Sequence, residues 1–207
     1  VGDQRRQEIL DIALALADEG GLGAVTMRAV AQRLGVTAMA LYPHVASKDD
    51  LLEGLVGRVL AQLPIPDTSL PWQERLQQIG TMTRALARRH PAAIPLIFTK
   101  PSVTPDGLRV VDAIYTALLD AGVPPDQVAR TERLVSTFVL GYAISEASGR
   151  FGTGTLGTRE RRGQVALDDL PAHAKLGPLL DVASSWDAEF DADLADLSTL
   201  IESIARS

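Results

Sequence analysis

Between Thr26 and Val45 the chain reads as two short helices joined by a turn that glycine makes at little cost. The Thr26 hydroxyl can accept from a free first-turn amide, so Thr26 is an N-cap. Met27, Val30, Ala31 and Leu34 recur at helical spacing and give one apolar face. Gly35 follows the last periodic residue, where a left-handed conformation ends a helix. Thr37 is then expected to cap a second helix carrying Met39, Leu41 and Tyr42. A helix, a glycine turn and a second helix make the helix-turn-helix pattern, whose second helix enters the DNA major groove. An ordinary helical hairpin has the same outline, so the pattern alone leaves both readings open.

The residues beyond the turn narrow the choice. Leu41-Tyr42-Pro43-His44-Val45, then Ser47-Lys48 and Leu51-Leu52, closely resembles the DNA-binding domain of tetracycline-repressor-type (TetR family) regulators. The resemblance covers residues 5–63. It implies a bacterial regulator that binds double-stranded operator DNA as a homodimer and answers to a small-molecule effector. It also implies that Arg28 reaches a guanine and that Thr26, Tyr42, His44 and Lys48 hold phosphates. Thr37, Ala38, Met39 and Ala40 are small or apolar, which suits thymine methyl groups rather than bidentate reading of purines. Pro43 is expected to end the reading helix early.

The rest of the chain predicts helices throughout. Ile9, Leu10, Ala13, Leu14, Leu16 and Ala17 line one face of a first helix over 4–20. Ser47-Lys48-Asp49-Asp50 opens another with a capping-box-like pattern, running through Leu63 to Pro64-Ile65-Pro66. Further helices are expected from Pro71 at N1 to near His90, in part of 92–99, from Thr104 to Gly122, over 125–148 and over 191–205. Residues 149–170 read as a loop. The expected fold is all-α: a three-helix helix-turn-helix DNA-binding domain over 1–63, then a helical bundle over 64–207 for ligand binding and dimerisation.

Composition agrees with packed helices. Apolar residues make up 46% but aromatics only 4%, so the core is built of Leu, Ala, Val and Ile. There is no cysteine, which excludes disulfides and thiolate metal sites. No apolar run reaches the ~18 residues of a spanning helix, and no signal-peptide core is seen, so a cytoplasmic protein away from membranes is expected. The net charge is −6. Even residues 1–63 hold six basic side chains (Arg5, Arg6, Arg28, Arg33, Lys48, Arg58) against eight acidic ones. Any DNA affinity must therefore come from a local face, helix N-termini and two copies acting together.

No catalytic, cofactor or metal site is expected. Gly152-Thr153-Gly154-Thr155-Leu156-Gly157 fits G-x-G-x-x-G literally but lacks the preceding strand, and Arg159, Arg161 and Arg162 read as a solvated loop. His44, His90 and His173 lack zinc-binding spacing, and His90 reads as a helix-end cap. An all-α enzyme or carrier without DNA binding is the alternative reading.

The second half resembles the ligand-binding part of tetracycline-type repressors through Thr99-Lys100-Pro101, Leu119 with Gly122, and Phe138-Val139-Leu140-Gly141-Tyr142. Drug-binding members hold a magnesium–drug complex with a histidine three residues before that threonine and a glutamate four after that glycine. Leu96 and Ser145 stand there instead, and Glu146 is turned about 100° around the helix, so no metal chelate is implied. A ligand pocket is expected from Met82, Leu86, Phe98, Tyr115, Leu118, Phe138 and Tyr142. Dimerisation is expected through 125–148 and the last helix, with Gly141, Ala143 and Ala147 permitting close approach.

Overall fold

The computed structural model describes residues 2–99, 104–149, 170–180 and 185–206. In order they form α1 (Gly2–Gly20), α2 (Met27–Leu34), a 3-10 turn (Ala38–Leu41), α3 (Lys48–Leu60), α4 (Trp72–Arg89) and α5 (Leu96–Thr99). Then come α6 (Pro105–Asp120), α7 (Pro125–Ala147), α8 (Pro171–Leu180) and α9 (Trp186–Ala205). No strand occurs among the described residues, so the fold is all-α, with a helix-turn-helix unit followed by a helical bundle. Among them no helix is long and apolar enough to cross a membrane.

The helix ends follow local chemistry. Thr26 accepts from the Ala29 amide at 3.1 Å, Ser47 from Asp50 at 3.1 Å and Thr104 from Gly107 at 3.1 Å. Gly35 ends α2 at φ 70°, and its amide and that of Val36 close on Gln32 and Ala31 carbonyls. Ser47 caps as expected, but Asp50 reaches back to the Ala46 amide at 2.8 Å, one residue before the position a capping box uses.

Several boundaries differ from the sequence reading. Thr37 makes no side-chain cap, and the expected second helix is a four-residue 3-10 turn. α3 stops at Leu60, and Ala61–Leu63 continue as turns with Leu63 still buried. Pro71 is the N-cap of α4, not its first helical residue. α8 was not expected, and α9 begins at Trp186 because Ser185 caps it through the Ala188 amide. Residues 150–169 of the expected 149–170 loop, with its glycine motif and arginines 159, 161 and 162, lie outside the described residues.

One cluster of buried apolar side chains runs through the molecule. α1 packs on α2 and α3 by the face the sequence marked, with Ile9, Leu10, Ala13, Leu14, Leu16 and Ala17 all buried. At the α1–α3 crossing, a Cβ on Gly54 would collide with Leu10 Cδ2, so glycine sets how closely these helices approach. α3 also packs on α6, and α4, α6 and α7 pack on one another, with α9 against α4. The three-helix unit is thereby seated directly on the bundle.

Candidate DNA interface and effector cavity

Leu41 is fully buried and anchors the 3-10 turn, which leaves Met39 74% exposed and Tyr42 48% exposed. Thr26, Arg28, Thr37, Ala40 and Lys48 are exposed, and Ala38 and His44 are half-buried. Arg28 and Ala38 border one shallow concavity with Gln32 and Val36. Of the candidate DNA residues, Arg28 and Ala38 are thus brought together, and the His44 carbonyl accepts from Arg6 at 2.6 Å.

Most of the basic side chains of residues 1–63 are paired with carboxylates. Arg5 pairs with Glu8, Arg6 with Asp50, Arg33 with Glu19 and Arg58 with Asp11. Among the described residues only Arg28 and Lys48, of the six basic side chains, have no carboxylate partner. Arg6 holds Asp50 at 2.7 Å, and that hydrogen bond, with the Ala46 amide, keeps the Asp50 carboxyl below its ordinary 3.8 against the opposing effect of burial. Arg6 thus ties α1 to the start of α3 and to the backbone just after the turn.

A cavity of about 180 Å³ lies between α3, α4, α6 and α7. Its wall includes Val59 and Leu60 from the end of α3, Leu63 from the turns after it, Leu86 from α4, Ile114 from α6 and Val139 from α7. Among the described residues its polar side chains are Thr83, Glu132 and Ser136. Of the seven pocket residues expected from sequence, only Leu86 lines it. Met82 and Phe98 are exposed, Tyr115 is half-buried, and Leu118 is fully buried in the core. Phe138 stacks on Phe190 at 6.2 Å, and the Tyr142 hydroxyl donates to the Trp186 carbonyl at 2.9 Å. The overlooked Glu132 had one sequence signal: a charge set on the stripe of Val128, Val135 and Val139 along α7, all three buried.

Glu146, the displaced glutamate, is committed elsewhere. Arg84 grips it through Nε at 2.5 Å and Nη2 at 2.7 Å, and Arg88 adds a bond at 2.7 Å. Both arginines also reach Asp187 of α9. The Arg84 hydrogen bond, followed by Arg88, holds the Glu146 carboxyl below its ordinary 4.5 although burial works the other way. His90 likewise is more than a helix-end cap. It is 5% exposed, its Nδ1 meets Asp18 of α1 at 2.9 Å, and its Nε2 meets Gln62 at 3.3 Å.

Comparison with known proteins agrees with this anatomy. Residues 9–55 match the family described as bacterial regulatory proteins, tetR family, and residues 65–202 match the tetracyclin repressor-like C-terminal domain. An HTH-type transcriptional regulator of Saccharopolyspora erythraea is 30% identical over 191 residues, 90% of this chain and 79% of its own. The class E tetracycline repressor protein of Escherichia coli is 28% identical, over 91% of this chain and 83% of its own. ActR of Streptomyces coelicolor, solved in complex with actinorhodin, superposes with a TM-score of 0.84 over 98% of both chains, and at 24% identity this likeness speaks for the fold alone. A possible TetR family transcriptional regulator from Streptomyces coelicolor A3(2) gives 0.78 at 27% identity, over 96% of this chain and 99% of its own. Matched in both halves, by sequence and by shape, the chain belongs to the tetracycline-repressor (TetR) family of ligand-responsive, DNA-binding transcriptional regulators.

Proposed function

We propose that the protein is a homodimeric cytoplasmic repressor whose residues 1–63 bind operator DNA and whose residues 64–207, together with the last turn of α3 and Leu63, bind a small molecule that releases it. The observation that carries this reading is that the cavity and the recognition turn share α3. Its last turn gives the cavity Val59 and Leu60. Its first turn is tied through Asp50 to Arg6, which also holds the His44 carbonyl. A molecule that fits the cavity in only one placement of α3 shifts the population toward that placement. In a dimer the two recognition elements must sit about 34–36 Å apart to meet successive major grooves, so a small tilt of α3 lowers affinity.

The dimer is proposed through α7 and α9. Leu134 and Leu200 are 40% and 45% exposed, and Gly141 has open space where a side chain would stand. Ala143 is 1% exposed and belongs to the chain's own core, so it leaves the proposed interface. Sedimentation at increasing concentration should give a dimer mass, and a concentration-independent monomer mass would overturn this part.

At the operator, Arg28 reads a base and Lys48 holds a phosphate, with Thr26, Tyr42 and His44 as further phosphate contacts. Thr37, Ala38 and Met39 meet thymine methyl groups. Arg28→Ala should cost about 1–3 kcal/mol and relax preference at one base pair per half-site. Lys48→Ala should weaken all sequences alike and reduce the salt slope by about one. Mobility shifts with DNA from the region upstream of the chain's own gene test the reading, and no retardation by the wild-type protein at low salt refutes it. Equal loss on all operator variants for Arg28→Ala would demote Arg28 to a phosphate contact.

A further inference from the structure

Glu132 stands in the cavity wall on α7, is 8% exposed, and has no cationic partner among the described residues. Its one hydrogen bond is from the Ser136 hydroxyl, which donates to Oε1 at 2.5 Å. The other hydroxyl in the wall, on Thr83, donates to the Ile79 carbonyl at 2.8 Å. The Gly107 amide is committed to Thr104. The donors of this lining are therefore in use, and what it still offers a guest is acceptors: the second Glu132 oxygen and hydroxyl lone pairs. Among the described residues the remaining wall is Val, Leu and Ile.

A carboxylate drawn from water into an apolar wall is destabilising unless a positive charge or further donors meet it. Arginines of α4 do not pair with it among the described residues: Arg75 is bound to Asp120, and Arg84 and Arg88 to Glu146 and Asp187. The volume, about 180 Å³, is of the scale of a 150 Å³ apolar cavity that holds benzene. From this lining we infer that the effector is a small, largely apolar molecule carrying one cationic amine, placed with its ammonium group on Glu132. The inference rests on the cavity being the effector site. An anionic or acceptor-only molecule finds no free donor among the described lining residues and meets a like charge.

Three probes of one skeleton separate the terms: 2-phenylethylamine, 2-phenylethanol and phenylacetate, titrated calorimetrically into the full chain at pH 7. The amine should bind about tenfold tighter than the alcohol, since a charge-assisted hydrogen bond exceeds a neutral one, and phenylacetate should not bind. Glu132→Gln should abolish the preference for the amine while alcohol binding persists. Equal or weaker binding of the amine in the wild type overturns the charge assignment even if the variant fails to fold. So does a preference that survives Glu132→Gln. Binding of none of the three overturns the cavity as effector site, and the inference with it.

Discussion

Replacing Arg84 by methionine is expected to lower stability by about 3 kcal/mol, the lower end of the range for breaking a buried ion pair, because Arg88 still holds Glu146. Arg84 is 5% exposed and joins three elements of the bundle. Its guanidinium binds Glu146 of α7 twice and Asp187 of α9 at 2.8 Å, and lies 5.4 Å from the Tyr142 ring centroid and 5.0 Å from that of Phe190. Methionine keeps much of the apolar contact and removes the charge. Glu146, with a side chain only 15% exposed, would then carry a poorly compensated carboxylate. Arg84→Met with Glu146→Gln should recover part of the loss, because the orphaned charge goes with its partner. Urea unfolding at fixed protein concentration measures both. A loss below about 0.5 kcal/mol for Arg84→Met would show that the pair contributes nothing.

The same pair sets an acid limit. The Glu146 carboxyl is depressed in the fold, so its contribution is present above its ordinary 4.5 and lost as pH falls through the depressed value. The wild type should lose stability on going below pH 4.5, and Glu146→Gln should flatten that part of the profile.

The second large effect is expected at Leu41. Leu41→Ala should cost about 2–5 kcal/mol, the range for emptying a fully buried leucine site. Leu41 is the one buried side chain of the 3-10 turn. Four residues of 3-10 helix do not support themselves, so the turn's position depends on that anchor. Operator affinity should fall with it, because Thr37, Ala38 and Met39 are carried on the same short segment. Met39→Ala makes the contrast. At 74% exposure it should leave stability within about 0.5 kcal/mol and still lower operator affinity. Unfolding curves and operator anisotropy on both variants check this, and an unchanged unfolding midpoint for Leu41→Ala would refute the anchoring role.

Features that neighbouring residues settle among themselves are legible in the order of the amino acids. Thr26, Ser47 and Thr104 cap because a hydroxyl meets an amide three residues on, and Gly35 turns left-handed because it lacks a Cβ. The buried stripe of α1 was legible because a helix fixes which residues share a face. Which neighbour each face meets depends on packing between distant segments. Phe138 and Tyr142 looked like pocket walls, but packing gave them to Phe190 and Arg84, while the cavity opened beside Val135, Ser136 and Val139 of the same helix. The recognition element is a 3-10 turn because Leu41 is drawn into the core within four residues of the Thr37 cap position. Charge followed the same rule. Counting gives an acidic unit, and only pairing in space, Arg6 with Asp50, Arg33 with Glu19 and Arg58 with Asp11, shows that Arg28 and Lys48 have no carboxylate partner among the described residues, because Coulomb attraction acts through distance and not through sequence order.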